Sequence, residues 1–114
     1  MSTKDSTIIL AIIKRDSGTL IGTIGTFRPF ELGFSLLPDY WGAGYATEAA
    51  KGFCIWHHQH CGVRTILTAT VDLENGSSKR LLAKCGFAPV RDEFNEGPAL
   101  DVKGREIWRE TASS

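Results

Sequence analysis

The run Trp41-Gly42-Ala43-Gly44-Tyr45-Ala46-Thr47-Glu48 sets two glycines around one small residue, after an apolar segment that ends at Pro38 and directly before a helix-forming stretch. Glycines leave no Cβ to hold a ligand away and accept tight turns, so several free amides can converge on one point. The helix behind them adds unsatisfied N–H groups and the positive end of its dipole. Such a loop suits a phosphate or pyrophosphate. A second cluster, His57-His58-Gln59-His60-Cys61, carries metal-capable side chains at helical spacing. A structural zinc site needs four ligands, and no Cys-x-x-Cys pair accompanies the cluster, so no metal is expected. Gly42-Ala43-Gly44 also begins like a dinucleotide fingerprint, but Thr47 stands where the third glycine belongs.

The elements that must hold this loop follow from apolar patterning. Thr7 to Arg15 is aliphatic and β-branched, Asp16-Ser17-Gly18-Thr19 is a turn, and Leu20 to Phe27 forms the second arm of a hairpin. Gly22 and Gly25 within that arm point to a bulge or a close backbone approach. A third strand over Leu32 to Leu37 leads into the glycine loop. Thr47 to about His60 repeats apolar residues at helical spacing through Ala49, Ala50, Phe53 and Trp56, with Gly62 as its C-terminal cap. Thr65 to Val71 reads as a strand. Ser77 to Lys84 reads as a helix with Leu81 and Leu82 inward and Gly86 as its stop. Phe87 to Arg91 and Arg105 to Glu110 supply the last strands, joined by a polar loop.

An antiparallel meander thus passes into strand, helix, strand, helix, strand. A strand–helix–strand unit makes strands three and four parallel with a right-handed crossover. The expected fold is α+β: a mixed, largely antiparallel sheet with a central parallel strand pair and packed helices, forming a single domain over residues 1–114. Ligands of such sheets sit at the carboxyl ends of the parallel strands, where the glycine loop and Asp72-Leu73-Glu74-Asn75 lie.

Lys+Arg and Asp+Glu both number 13, so the net charge is zero and no electrostatic grip on nucleic acid or an anionic membrane is expected. The longest apolar run, Ile8 to Ile13, is far too short to span a bilayer. Three cysteines, Cys54, Cys61 and Cys85, without paired spacing fit reduced thiols and a cytoplasmic protein.

The stretch LGFSLLPDYWGAGYATEA, followed by VDLENGSSKRLLAKCGF, resembles the GNAT superfamily of acyl-CoA-dependent N-acyltransferases, and within it the ribosomal-protein-alanine acetyltransferase branch. The superfamily's pyrophosphate motif is Gln or Arg, two residues, Gly, one residue, then Gly or Ala. Trp41, Gly44 and Ala46 fill its marked positions; Trp41 departs from the general pattern but matches the usual spelling of the ribosomal branch. The resemblance implies that the backbone of Trp41, Gly42, Ala43, Gly44, Tyr45 and Ala46, with Thr47 in the first helical turn, holds the pyrophosphate of acetyl-CoA. It also implies that pantetheine amides pair with strand three near Leu36, that Asn75 contacts the pantetheine arm, and that Ser78 lies near the departing thiolate.

The family tyrosine that serves as thiolate acid is replaced here by Leu82. Ser78 is then the remaining hydroxyl, and Glu31 is the candidate base, acting through water. Asn75 and Ser78 read equally as helix caps, and Glu31 as a solvated strand end. Family members normally begin with another strand and two helices, so the chain is expected to lack these and to start at the second strand. Two functions remain. One is an acetyl-CoA-dependent N-acetyltransferase acting on a primary amine, a peptide N-terminus or a small molecule. The other is a non-catalytic acetyl-CoA-binding module of the same fold. The apolar first strand is expected to offer an edge for homodimerisation, and isolated transfer is expected to be slow.

Overall fold

The computed structural model describes residues 8–28, 30–61 and 66–111. The chain divides into two compact units, Met1–Thr65 and Ile66–Ser114.

In the first unit, β1 (Ile8–Ile13), β2 (Leu20–Arg28) and β3 (Glu31–Leu36) form an antiparallel meander. The aliphatic run of β1 pairs with β2 from Ile8↔Thr26 to Ile12↔Gly22, and a register shift follows between Ile12 and Ile13. Both glycines of β2 sit under close neighbouring backbone, as their position predicts: a Cβ on Gly22 would strike the Ser35 carbonyl and one on Gly25 the Ile8 carbonyl. After β3 come a one-turn 3-10 helix, Pro38–Tyr40, and then α1 (Tyr45–Cys61).

The helix starts two residues before Thr47 because the Gly44 carbonyl already accepts the Glu48 amide, 3.0 Å away. Its buried face is Ala50, Phe53, Cys54 and His57, with Trp56 only half-covered. The i, i+3, i+4, i+7 spacing that starts at Ala50 lands on His57, so an imidazole fills the last core position. That ring lies edge-on to Phe30 and tilted against Phe53, while His60 stacks on Trp56 at 4.4 Å. The histidine cluster is therefore split between core and surface. Among the described residues no group of three or more His, Cys, Asp or Glu could hold a metal ion.

In the second unit β4 (Thr68–Val71), α2 (Gly76–Lys84), β5 (Phe87–Pro89) and β6 (Glu106–Glu110) follow in order, with β6 antiparallel to both β4 and β5. The strand expected from Thr65 begins only at Thr68, and the Gly62 cap lies outside the described residues. Leu67, just before β4, is fully buried, and its amide donates to Glu110 Oε1 at 2.9 Å. Leu81 and Leu82 are buried as their spacing predicts. Among the described residues no helix is long and apolar enough to cross a membrane.

Candidate cofactor site

The glycine loop leaves the carboxyl end of β3. Trp41 stands at its entrance, with its backbone amide on the Pro38 carbonyl and its indole Nε1 donating to the Leu36 carbonyl at 2.7 Å. The loop entry is thus tied to the last residue of the strand, while Trp41 stays 66% exposed. Gly42 and Gly44 adopt φ of 79° and 84°, a region that side chains with a Cβ rarely enter. A Cβ on either would meet nothing within 4 Å. Backbone conformation, not crowding, therefore demands glycine, and the space above the loop is open.

The amides of Gly42, Ala43, Gly44, Tyr45 and Ala46 have no hydrogen-bond acceptor among the described residues. Thr47 is half-buried in the first turn behind them, and Tyr40 packs edge-on to Tyr45 across the loop at 5.9 Å. Consecutive unsatisfied donors in the loop and first turn of a 17-residue helix form a cradle for an anion. Leu36 keeps one carbonyl lone pair beyond the bond from Trp41, so an added strand-like ligand can still pair there.

Asn75 is the N-cap of α2: its Oδ1 accepts the Ser78 amide at 3.1 Å. The cap uses the oxygen, and the Asn75 amide nitrogen has no acceptor among the described residues. Ser78 is half-buried in the first turn of α2. Behind these residues Lys79 Nζ donates to the Leu73 carbonyl at 2.7 Å and to Glu106 Oε2 at 3.2 Å, and Trp108 Nε1 donates to Glu106 Oε1 at 2.9 Å. The segment carrying Asn75 is in this way anchored to β6.

The Trp108 bond lowers the Glu106 carboxyl below its ordinary value, with the Lys79 bond and charge adding to it against some desolvation. A carboxylate depressed in the folded state stabilises above the unfolded value, about 4.3, and loses that contribution as pH falls through its lower folded value. The acid limb of the melting curve should therefore flatten in Glu106→Gln relative to the parent. Parallel acid limbs would show that this carboxylate does not anchor the segment.

Glu31 opens β3 at the end opposite the loop, beside Phe30, whose φ is +62°. Five residue steps separate it from Leu36, about 17 Å at the usual strand rise. Leu36 and residues 41–47 are thus gathered at one end of β3, with Glu31 at the other; Asn75 and Ser78 lie together on α2. The indole bond of Trp41 and the Lys79–Glu106–Trp108 anchor have no signal in residue spacing, because both depend on tertiary contacts.

Residues 1–88 match the model of the acetyltransferase (GNAT) domain. The chain belongs to the GNAT acetyltransferase family. Over 82 residues it is 35% identical to the uncharacterised N-acetyltransferase YoaA of Bacillus subtilis, a match covering 67% of this chain and 46% of that protein. The chain spans less than half the length of that curated relative. A crystal structure of an acetyltransferase from Agrobacterium tumefaciens matches 93% of this chain and 61% of its own, at 26% identity and a TM-score of 0.74. The microcin self-immunity acetyltransferase MccE, solved in complex with acetyl-CoA and AMP, shares the fold at 18% identity and a TM-score of 0.69, over 94% of this chain and 62% of its own. The α+β fold expected from the sequence is the fold of this GNAT family.

Proposed function

We propose that this GNAT chain is an acetyl-CoA-dependent N-acetyltransferase that transfers an acetyl group to a primary amine, a peptide N-terminus or a small molecule, by direct attack. The observation that carries this reading is the run of unpartnered amides from Gly42 into the first turn of α1 at Ala46. Acetyl-CoA supplies the activated thioester. Gly42 to Thr47 hold the diphosphate charge by amide donation, and the free face of Leu36 and the Asn75 amide nitrogen orient the arm. Glu31 takes the amine proton through water, and the Ser78 hydroxyl gives a proton to the leaving sulfur. A cytoplasmic setting belongs to the same reading, since Cys54, Cys61 and Cys85 form no disulfide and reduced cysteines persist in reducing compartments. Thiol release measured over a panel of amines and peptides tests it: acetyl-CoA-dependent release that needs an amine is expected. Binding without amine-stimulated release would favour a non-catalytic acetyl-CoA-binding module.

Asn75→Ala separates capping from cofactor contact. Loss of the cap should lower stability by about 0.5–2 kcal/mol. Loss of a pantetheine contact should also weaken cofactor binding, by about 1–3 kcal/mol. Lower stability with unchanged affinity would leave Asn75 as a cap alone.

The reading includes homodimerisation through β1. Its outer edge has no strand partner among the described residues, and its six residues carry no charge to deter pairing. Leu10→Lys puts a charge on that edge, and Leu10 is already 37% exposed. Sedimentation should show concentration-dependent dimers of the parent that are lost in the variant. A parent that stays monomeric across the concentration range would exclude the edge as an interface.

A further inference from the structure

The hairpin turn between β1 and β2 sets Lys14 against Tyr40, the residue that leads into the glycine loop, with Arg15 next to it in the chain. Lys14 directly follows β1, and the turn fixes its backbone: its amide donates to the Thr19 carbonyl and its carbonyl accepts the Gly18 amide, both at 2.8 Å. Its ammonium lies over the Tyr40 ring, 6.0 Å from the centroid, within the range of a cation–π contact. Tyr40 is the residue before Trp41 and packs on Tyr45, the first residue of α1. Lys14 and Arg15 also share the wall of a cavity of about 440 Å³ with Tyr45 and Glu48 of the first helical turn. Neither cation is ion-paired among the described residues, although Asp16, Asp39 and Glu48 lie on the same segments.

The loop offers neutral amides, which bind phosphate oxygens without neutralising their charge. A phosphomonoester carries about −1.5 to −2 charge at pH 7, and a lysine or arginine beside the cradle is the group that recognises it. Coenzyme A has such a group, the 3′-phosphate on its adenosine. We propose that Lys14 and Arg15 recognise this phosphomonoester, so that the chain distinguishes coenzyme A from its 3′-dephospho form. The inference rests on the cofactor reading of the glycine loop and adds the residues that read the far end of the ligand.

The test is calorimetric titration of the parent chain and a Lys14→Gln/Arg15→Gln variant with coenzyme A and with 3′-dephospho-coenzyme A, each at low and high salt. The parent should prefer coenzyme A by roughly fivefold or more at low salt, and less when salt screens the contact. The variant should lose that preference while binding 3′-dephospho-coenzyme A as the parent does. Equal affinity of the parent for both ligands would overturn the inference and leave the glycine-loop reading standing. So would a variant that weakens for both ligands in parallel, because the cations would then act on the pyrophosphate or on the fold. A folded parent that binds neither ligand would overturn the inference together with the loop reading.

Discussion

Gly44→Asp should reduce acetyl-CoA affinity by at least about 100-fold while the protein stays folded. The aspartate places a negative charge where phosphate oxygens are expected, and it disturbs amides whose hydrogen bonds to charged groups contribute about 1.5–3 kcal/mol each. The fold should tolerate the change. Gly44 has open space where a Cβ would stand, and aspartate enters the left-handed region more readily than most residues. Melting temperature should therefore fall by only a few degrees. Unchanged cofactor affinity in a folded Gly44→Asp protein would remove the loop from the binding site.

The second large effect is on turnover. If Ser78 supplies the proton to the leaving sulfur and Glu31 receives that of the amine, Ser78→Ala and Glu31→Gln should each lower kcat by about 100-fold, the lower end for general acid–base groups. Cofactor affinity should hold in both, since neither side chain belongs to the phosphate cradle. Full turnover in Ser78→Ala would reduce that residue to the first turn of α2, where its amide already serves the Asn75 cap. Full turnover in Glu31→Gln would leave it as the opening residue of β3.

The glycine loop was legible in the sequence because its determinants are local. Positive φ at Gly42 and Gly44, and the free amides in front of α1, follow from residue type and from the helix start alone. The hairpin and the Asn75 cap were legible for the same reason. Burial of His57 was not, because patterning counts an imidazole as polar while the helix places it beside Phe53 and Phe30. Strand ends shifted by up to three residues. Thr65 to Leu67 have β-forming side chains, yet the ladder to β6 begins at Thr68↔Arg109, and Leu67 instead pairs its amide with a glutamate side chain. The site's supports, Trp41 on Leu36 and Lys79 between Leu73 and Glu106, join residues up to 27 apart and needed the folded chain to appear.

Calorimetric titration of the folded chain with acetyl-CoA tests the central claim most directly. Saturable binding of one molecule per chain is expected, with free coenzyme A competing for the same site and adenosine nucleotides that lack the pantetheine arm binding more weakly. A folded protein that gives no saturable heat with acetyl-CoA would contradict the account.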